Sequence, residues 1–410
     1  MTAALHIRHH ARMLRQRLKG TLLSLARDRG LRCALFAFMI SRALVFAIFV
    51  LSAHLTIFQP DPQVEFYNAR ISVRHVAFAR IVHKTVSVAD ADWYIGIAQN
   101  GYERRPYSSD ARHNWAFFPV YPLLVGSVSR LTGDPYLTGV ALSTFFFFGA
   151  LVLLYRTALA FGLDDGSACR AVFYVSIFPL SYLYSVPMTE ALFLILTVGS
   201  FYAAKRERWV IAGLLGAVAS ATRITGVLLL PALAVLYWET YRTLRPKLNF
   251  LPLLLIPSGL LAFMCFLYMT TGNPLAFRDI TVESFGRRTP QFFLMTLLGY
   301  LADPLVIVEP WDFRPLNFLG AAMALVGGLV LLKWRRWSLA VYTLAASVVA
   351  LSNVLLHGQA RFAMVLFPAF MVLAVAGRNP RFDNVLRTVM LILFILMTIF
   401  YARHFDFALA

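Results

Sequence analysis

Acidic residues are scarce in this chain: 20 Asp and Glu stand against 38 Lys and Arg in 410 residues, and only 14% of positions are charged. With 59% hydrophobic residues and a mean hydropathy of +0.68, so little charge excludes an ordinary soluble domain, which could not keep such a surface in water. Cysteine is rarer still. Cys33, Cys169 and Cys265 lie far apart, each in or beside an apolar run, which suggests neither a disulfide framework nor a metal site. No His, Asp and Glu are clustered at ligand spacing, so metal-independent chemistry without a cofactor is expected. No small-residue cleavage pattern follows the first apolar run, 33–57, which is too long for a signal-peptide core, so a retained anchor is expected. Internal duplication is also lacking, which argues against an inverted-repeat transporter. The formal charge of +18 would suggest nucleic acid in a soluble protein; here it serves cytoplasmic anchoring, and no nucleic-acid partner is expected.

Apolar runs long enough to cross about 30 Å of hydrocarbon recur along the whole length, which predicts an all-α polytopic membrane protein. Residues 1–32 carry eight Lys and Arg against the single acid Asp28 and predict a basic cytoplasmic segment; residues 33–410 predict one transmembrane domain, with no appended soluble domain. Further basic connectors fall at 156–170, 205–208, 241–247, 333–336 and 377–381. Placing all of them in the cytoplasm pairs the spans and yields eleven crossings, near 33–57, 136–156, 169–185, 189–204, 209–221, 224–241, 249–271, 315–332, 338–356, 361–377 and 385–402. Two apolar stretches, 117–131 and 292–306, would put basic connectors on the wrong side if they crossed, so they are expected as helices in or dipping into the outer interface. The predicted setting is a cell (inner) membrane, with the N-terminus cytoplasmic and residues 58–135 forming a large extracytoplasmic loop with juxtamembrane helices.

On this topology the polar residues hardest to excuse as solvated loop gather on the outer side: Asp90 and Asp92, Glu190, Arg223, Arg287 and Arg288, then His357, Gln359 and Arg361. Ionisable groups abutting apolar spans are costly and usually functional. A large outer loop with a one-sided polar cluster describes catalysis at one membrane face. A lipid or solute transporter, or flippase, is the second class, and a non-catalytic assembly factor the third; a transporter calls for ionisable residues scattered toward the midplane. Arg42, inside the first span, has no partner that the sequence names.

"DADWYIGIAQNGYE" at 90–103, "NWAFFPVYPLLV" at 114–125, "SVPMTEALFLIL" at 185–196, "ATRITGVLLLP" at 221–231 and "GQARFAMVLFPAFMVLA" at 358–374 occur in that order. Together they resemble the PIG-V-like family, integral-membrane mannosyltransferases of the glycosyltransferase-C superfamily. The family usually has Trp immediately before the aspartate; this chain has Ala89. The resemblance implies a GT-C-like helical bundle. It also implies transfer of a sugar, mannose in the family, from a polyprenyl phosphate to a hydroxyl of a lipid, glycan or protein acceptor, with membrane lipids as surroundings.

That chemistry accounts for the residue types. A hydroxyl needs a carboxylate to take its proton, with Asp90 the first candidate and Asp92 the second; both also fit a helix cap or a solvated loop. One carboxylate suffices for a single inverting displacement. The leaving lipid phosphate needs fixed cations, which makes Arg223, Arg287, Arg288 and Arg361 candidate contacts beside Glu190, His357 and Gln359. Trp93 and Tyr94 can stack on a sugar face or anchor the loop at headgroup depth. Glu190 also fits a charge at a helix N-terminus, and Arg223 a snorkelling side chain.

Overall fold

Backbone polar groups in a chain this apolar must be satisfied within the chain, and helices do this locally. The computed structural model describes residues 28–57, 73–243, 247–285, 292–302, 313–352, 358–405 and 408. Among these the regular structure is helical throughout. The helices are α1 (Arg29–Ile57), α2 (Val73–Val86), α3 (Asp90–Asn100), α4 (Val120–Thr132), α5 (Pro135–Ala160), α6 (Asp165–Ser176), α7 (Glu190–Lys205), α8 (Trp209–Ser220) and α9 (Leu229–Tyr241). They continue as α10 (Ser258–Thr271), α11 (Ala276–Glu283), α12 (Phe293–Ala302), α13 (Arg314–Lys333), α14 (Trp337–Leu351), α15 (Gln359–Met364), α16 (Phe367–Ala376) and α17 (Pro380–Ala402).

Local chemistry sets several boundaries. Asp134 opens α5 by accepting a hydrogen bond from the Leu137 backbone N–H at 3.0 Å, with Pro135 in the first turn where its missing N–H is harmless. Asp164 does the same for α6 through Ser167.

Six helical stretches are long and apolar enough to span a membrane: Arg29–Ala53, Pro135–Ala160, Ile224–Tyr241, Leu248–Thr271, Arg314–Lys333 and Pro380–Ala402. The chain is an all-α polytopic membrane protein. Six of the eleven expected crossings fall on these stretches. The other five, 169–185, 189–204, 209–221, 338–356 and 361–377, fall on α6, α7, α8, α14 and the broken pair α15–α16, which are shorter. Helix α7 packs between α5 and α8 with nearly every side chain buried. The stretches set aside as non-crossing contain α4 and α12, 13 and 10 residues long among the described residues.

Between α6 and α7 the chain is irregular, with a short 3₁₀ turn at Ser181–Ser185 between Pro179 and Pro187, and the whole segment is buried. Non-helical backbone at membrane depth needs internal donors. Arg42 of α1 supplies them, donating to the Ser181 carbonyl (2.8 Å), Ser181 Oγ (2.8 Å) and Ser185 Oγ (3.0 Å) while its cationic face lies 4.6 Å from the Phe147 ring centre. Close approach of Gly139 to Pro187, where a Cβ would sit 2.8 Å from the proline ring, presses the segment onto α5 and fixes where α7 begins.

Cys33 of α1 and Cys169 of α6 form a disulfide with Cα atoms 5.7 Å apart, contrary to the expectation from sequence. Their 136-residue separation says nothing of distance once α1 packs against α6, and the pairs Arg29–Asp165 and Arg156–Asp28 tie the same end of these helices together.

Candidate active site

Four residues that the sequence scatters over 271 positions meet at one point. Asp90 is the first residue of α3, introduced by Ala89 in a positive-φ conformation (φ 50°) that few side chains accept. Glu190 is the first residue of α7, where the irregular 177–189 segment ends. Arg223 stands in a tight bend after α8; at Gly226 a Cβ would lie 2.4 Å from the Ala219 backbone, so only glycine lets the chain turn there. Arg361 lies on α15.

Arg361 donates from Nε to Glu190 Oε1 at 2.5 Å and from Nη1 to Asp90 Oδ2 at 2.5 Å, while its Nη2 faces Met188 Sδ, a weak acceptor, at 3.6 Å. Arg223 Nη1 reaches the same Glu190 Oε1 at 2.8 Å and Thr189 Oγ1 at 3.4 Å. Glu190 is fully buried, both arginines keep 13% of their side-chain surface, and Asp90 keeps 35%. Glu190 Oε2 is buried with no hydrogen-bond partner among the described residues. The arrangement is a buried anion holding two arginines, with an accessible carboxylate on their open side. Phe193 and Phe362 flank Arg223, with ring centres 5.8 and 5.5 Å from its guanidinium carbon.

Tyr94, one turn after Asp90, is buried against Phe117 and Tyr121, with ring centres 5.2 and 5.6 Å away. Burial, reinforced by the negative charges of Asp90 and Glu190, pushes its phenol up to about 12, so it stays protonated beside the cluster. Trp93 stacks on Phe117 at 5.5 Å and packs aromatic on aromatic.

Asp92 belongs to a different neighbourhood. Positions two apart on a helix point to different sides, and Asp92 Oδ1 accepts hydrogen bonds from Ser87 Oγ (2.7 Å) and Tyr136 Oη (2.9 Å). The Tyr136 ring lies 4.7 Å from His83, whose Nε2 is 2.9 Å from Asp134 Oδ2. Ser87, Tyr136, His83 and Asp134 were not among the sequence candidates.

Gln359 is buried and donates to the Ala350 carbonyl near the end of α14 at 2.7 Å. Arg287, Arg288 and His357 lie outside the described residues. A further polar group ties down the loop after α3: His113, buried, contacts Glu103 Oε2 at 2.7 Å and Asp110 Oδ1 at 3.2 Å, and Tyr107 donates to Glu283 of α11 at 2.7 Å. Among the described residues no three His, Cys, Asp or Glu side chains are grouped so as to hold a metal ion.

No protein-family model matches the chain, and no curated protein does. Among solved structures it is similar to the oligosaccharyltransferase of Archaeoglobus fulgidus. For the form tethered to an acceptor peptide containing the NVT sequon, the likeness covers 90% of this chain and 55% of that one, at 13% identity and a TM-score of 0.39. The apo form gives 14% identity over 90% and 55% at a TM-score of 0.39. The complex with an inhibitory peptide and a dolichol-phosphate gives 12% over 89% and 55%, again at 0.39. The chain thus spans about half the length of those proteins. A likeness at this level says nothing of activity, and the functional reading rests on the side chains.

Proposed function

We propose that the chain is an integral-membrane inverting glycosyltransferase of the GT-C type. In this reading it moves a sugar, mannose by its resemblance to PIG-V-like enzymes, from a polyprenyl-phosphate donor to a hydroxyl of a lipid-linked, glycan or protein acceptor. The reaction takes place at the extracytoplasmic face of the cell membrane and uses no metal or cofactor. The observation that carries the reading is the Asp90–Arg361–Glu190–Arg223 cluster, in which an accessible carboxylate sits against two arginines fixed from behind by one buried glutamate.

The acceptor hydroxyl oxygen attacks the anomeric carbon and its proton passes to the Asp90 carboxylate. The bond from that carbon to the phosphate oxygen breaks, and its electron pair leaves with the polyprenyl phosphate, which gains one negative charge. Arg361 and Arg223 meet that charge without a large rearrangement, because Glu190 already holds them in place. The Arg361 Nη2 group exchanges a thioether for a phosphate oxygen, a far stronger acceptor. As Arg361 turns toward phosphate, its bond to Asp90 loosens and the carboxylate becomes the stronger base. Donor binding and activation of the base are thereby coupled.

The test is incubation of the purified protein with labelled polyprenyl-phosphate sugars and crude membrane lipids. Transfer of label by the native chain, and transfer slower by about 10²–10⁴-fold in Asp90→Asn, is expected. Equal transfer by both would overturn the reading.

A further inference from the structure

A groove of about 610 Å³ lies between α1, α2 and α5, walled by Leu35, Phe38 and Phe46 of α1, Val82 of α2, and Leu137 and Phe148 of α5. Its α5 wall covers eleven residue steps, about 16 Å at the ordinary helical rise. The groove is open to the surroundings and almost wholly apolar, as a lipid chain requires. Bulk lipid alone would fill such a groove without selection, so its polar end decides what it takes.

The polar group nearest in the chain to its α2 and α5 walls is the Asp92 network. Val82 and Leu137 line the groove, and their chain neighbours His83 and Tyr136 sit ring against ring. Tyr136 and Ser87 bond to Asp92, and His83 bonds to Asp134. The groups at this end are therefore two carboxylates, an imidazole, a phenol and a serine hydroxyl. Lys84 and Arg80 of α2 are exposed and join none of the bonds of this network. Carboxylates accept hydrogen bonds from sugar hydroxyls and repel phosphate, the reverse of the preference at the arginine cluster. The first turn of α3 separates the two sites, with Asp90 on one and Asp92 on the other.

We propose that this groove with its Asp92–Tyr136 end is the seat of a lipid whose headgroup is uncharged and rich in hydroxyls, a neutral glycolipid. Its chain lies along α1 and α5 and its head at Asp92. The proposal deepens the transferase reading by naming the acceptor class, and it depends on that reading only for the word acceptor. Asp92 stands two residues from Asp90 on α3, on a different side of the helix.

The test uses the full chain in lipid nanodiscs with three photoreactive lipids, each carrying a diazirine in its hydrocarbon chain: a neutral monoglycosyl lipid, phosphatidylglycerol and a polyprenyl phosphate. Mass spectrometry of labelled peptides should find the neutral glycolipid on 35–46 and 137–148 at least severalfold above phosphatidylglycerol. Ala141→Trp, which fills the groove, and the isosteric Asp92→Asn should each lower that labelling severalfold, with polyprenyl-phosphate binding retained as the check on folding. If Ala141→Trp does not fold, Asp92→Asn alone decides. Equal labelling by phosphatidylglycerol, preferential labelling by the polyprenyl phosphate, or indifference to Asp92→Asn overturns the proposal. Because labelling is read without turnover, an unlabelled groove in an active enzyme sinks this site alone, whereas a labelled groove in an inactive protein sinks the transferase reading alone.

Discussion

Arg361 Nε lies 2.5 Å from Glu190 Oε1 across 171 positions of sequence, and Arg223 Nη1 reaches the same oxygen at 2.8 Å. One buried carboxylate oxygen thus holds two guanidinium groups and fixes the distance between them. Glu190→Gln keeps the shape but leaves two nearly buried cations sharing a neutral amide. Breaking a buried ion pair by removing one partner costs roughly 3–5 kcal/mol. We expect a marked fall in Tm with the donor site disordered. Native-like melting together with native donor affinity would show that Glu190 holds nothing.

Phosphate recognition makes a separate prediction for the arginines. Arg223→Ala and Arg361→Ala should each weaken binding of a polyprenyl-phosphate sugar, measured by titration in detergent. Lysine should rescue only in part, because a point charge replaces a planar fork. Donor affinity unchanged in both alanine variants would remove the phosphate from this site.

These four residues were legible in the sequence because charge beside apolar runs is conspicuous, whatever its partners turn out to be. What sequence could not supply was direction. Asp90 and Asp92 both stood as candidate bases, Asp90 first, and only the packing of α3 sends one to Arg361 and the other to Tyr136. Gln359 looked like a companion of Arg361 but turns to the Ala350 carbonyl. Arg42 looked like an unexplained charge, and its partners are hydroxyls and a carbonyl of a segment about 140 residues away. The six long spans followed from length and composition, and the other expected crossings fall on shorter helices such as the buried α7.

The Cys33–Cys169 bond is open to direct chemical test. Digestion without reductant should release a crosslinked peptide pair that separates on reduction, while Cys265, exposed and unpaired, takes up maleimide in both conditions. Separate alkylated peptides for Cys33 and Cys169 before reduction would refute the pairing.

The orientation that the basic connectors predict is testable in intact cells. Ser108 lies in the loop after α3, and Arg206 directly follows the end of α7 opposite Glu190. A membrane-impermeant maleimide should label a cysteine placed at Ser108 and miss one at Arg206. The reverse pattern would turn the proposed site to the cytoplasm and remove extracytoplasmic transfer.

The two aspartates should fail differently. Asp90→Asn keeps the side-chain shape and removes its basicity, so turnover should drop by about 10²–10⁴-fold. Donor affinity should hold or rise, since Arg361 loses the bond that competes with phosphate. Asp92→Asn leaves Arg361 untouched and instead alters an acceptor of the Ser87 and Tyr136 hydrogen bonds. Its effect should therefore fall on KM for the acceptor, with kcat much less changed. Steady-state kinetics over a range of acceptor concentrations separates the two. A larger kcat loss in Asp92→Asn would make Asp92 the base, and the arginine cluster would then bind donor without touching the proton transfer. Small, equal losses in both variants would mean that neither carboxylate takes the proton, and transfer at the head of α3 would have to be abandoned.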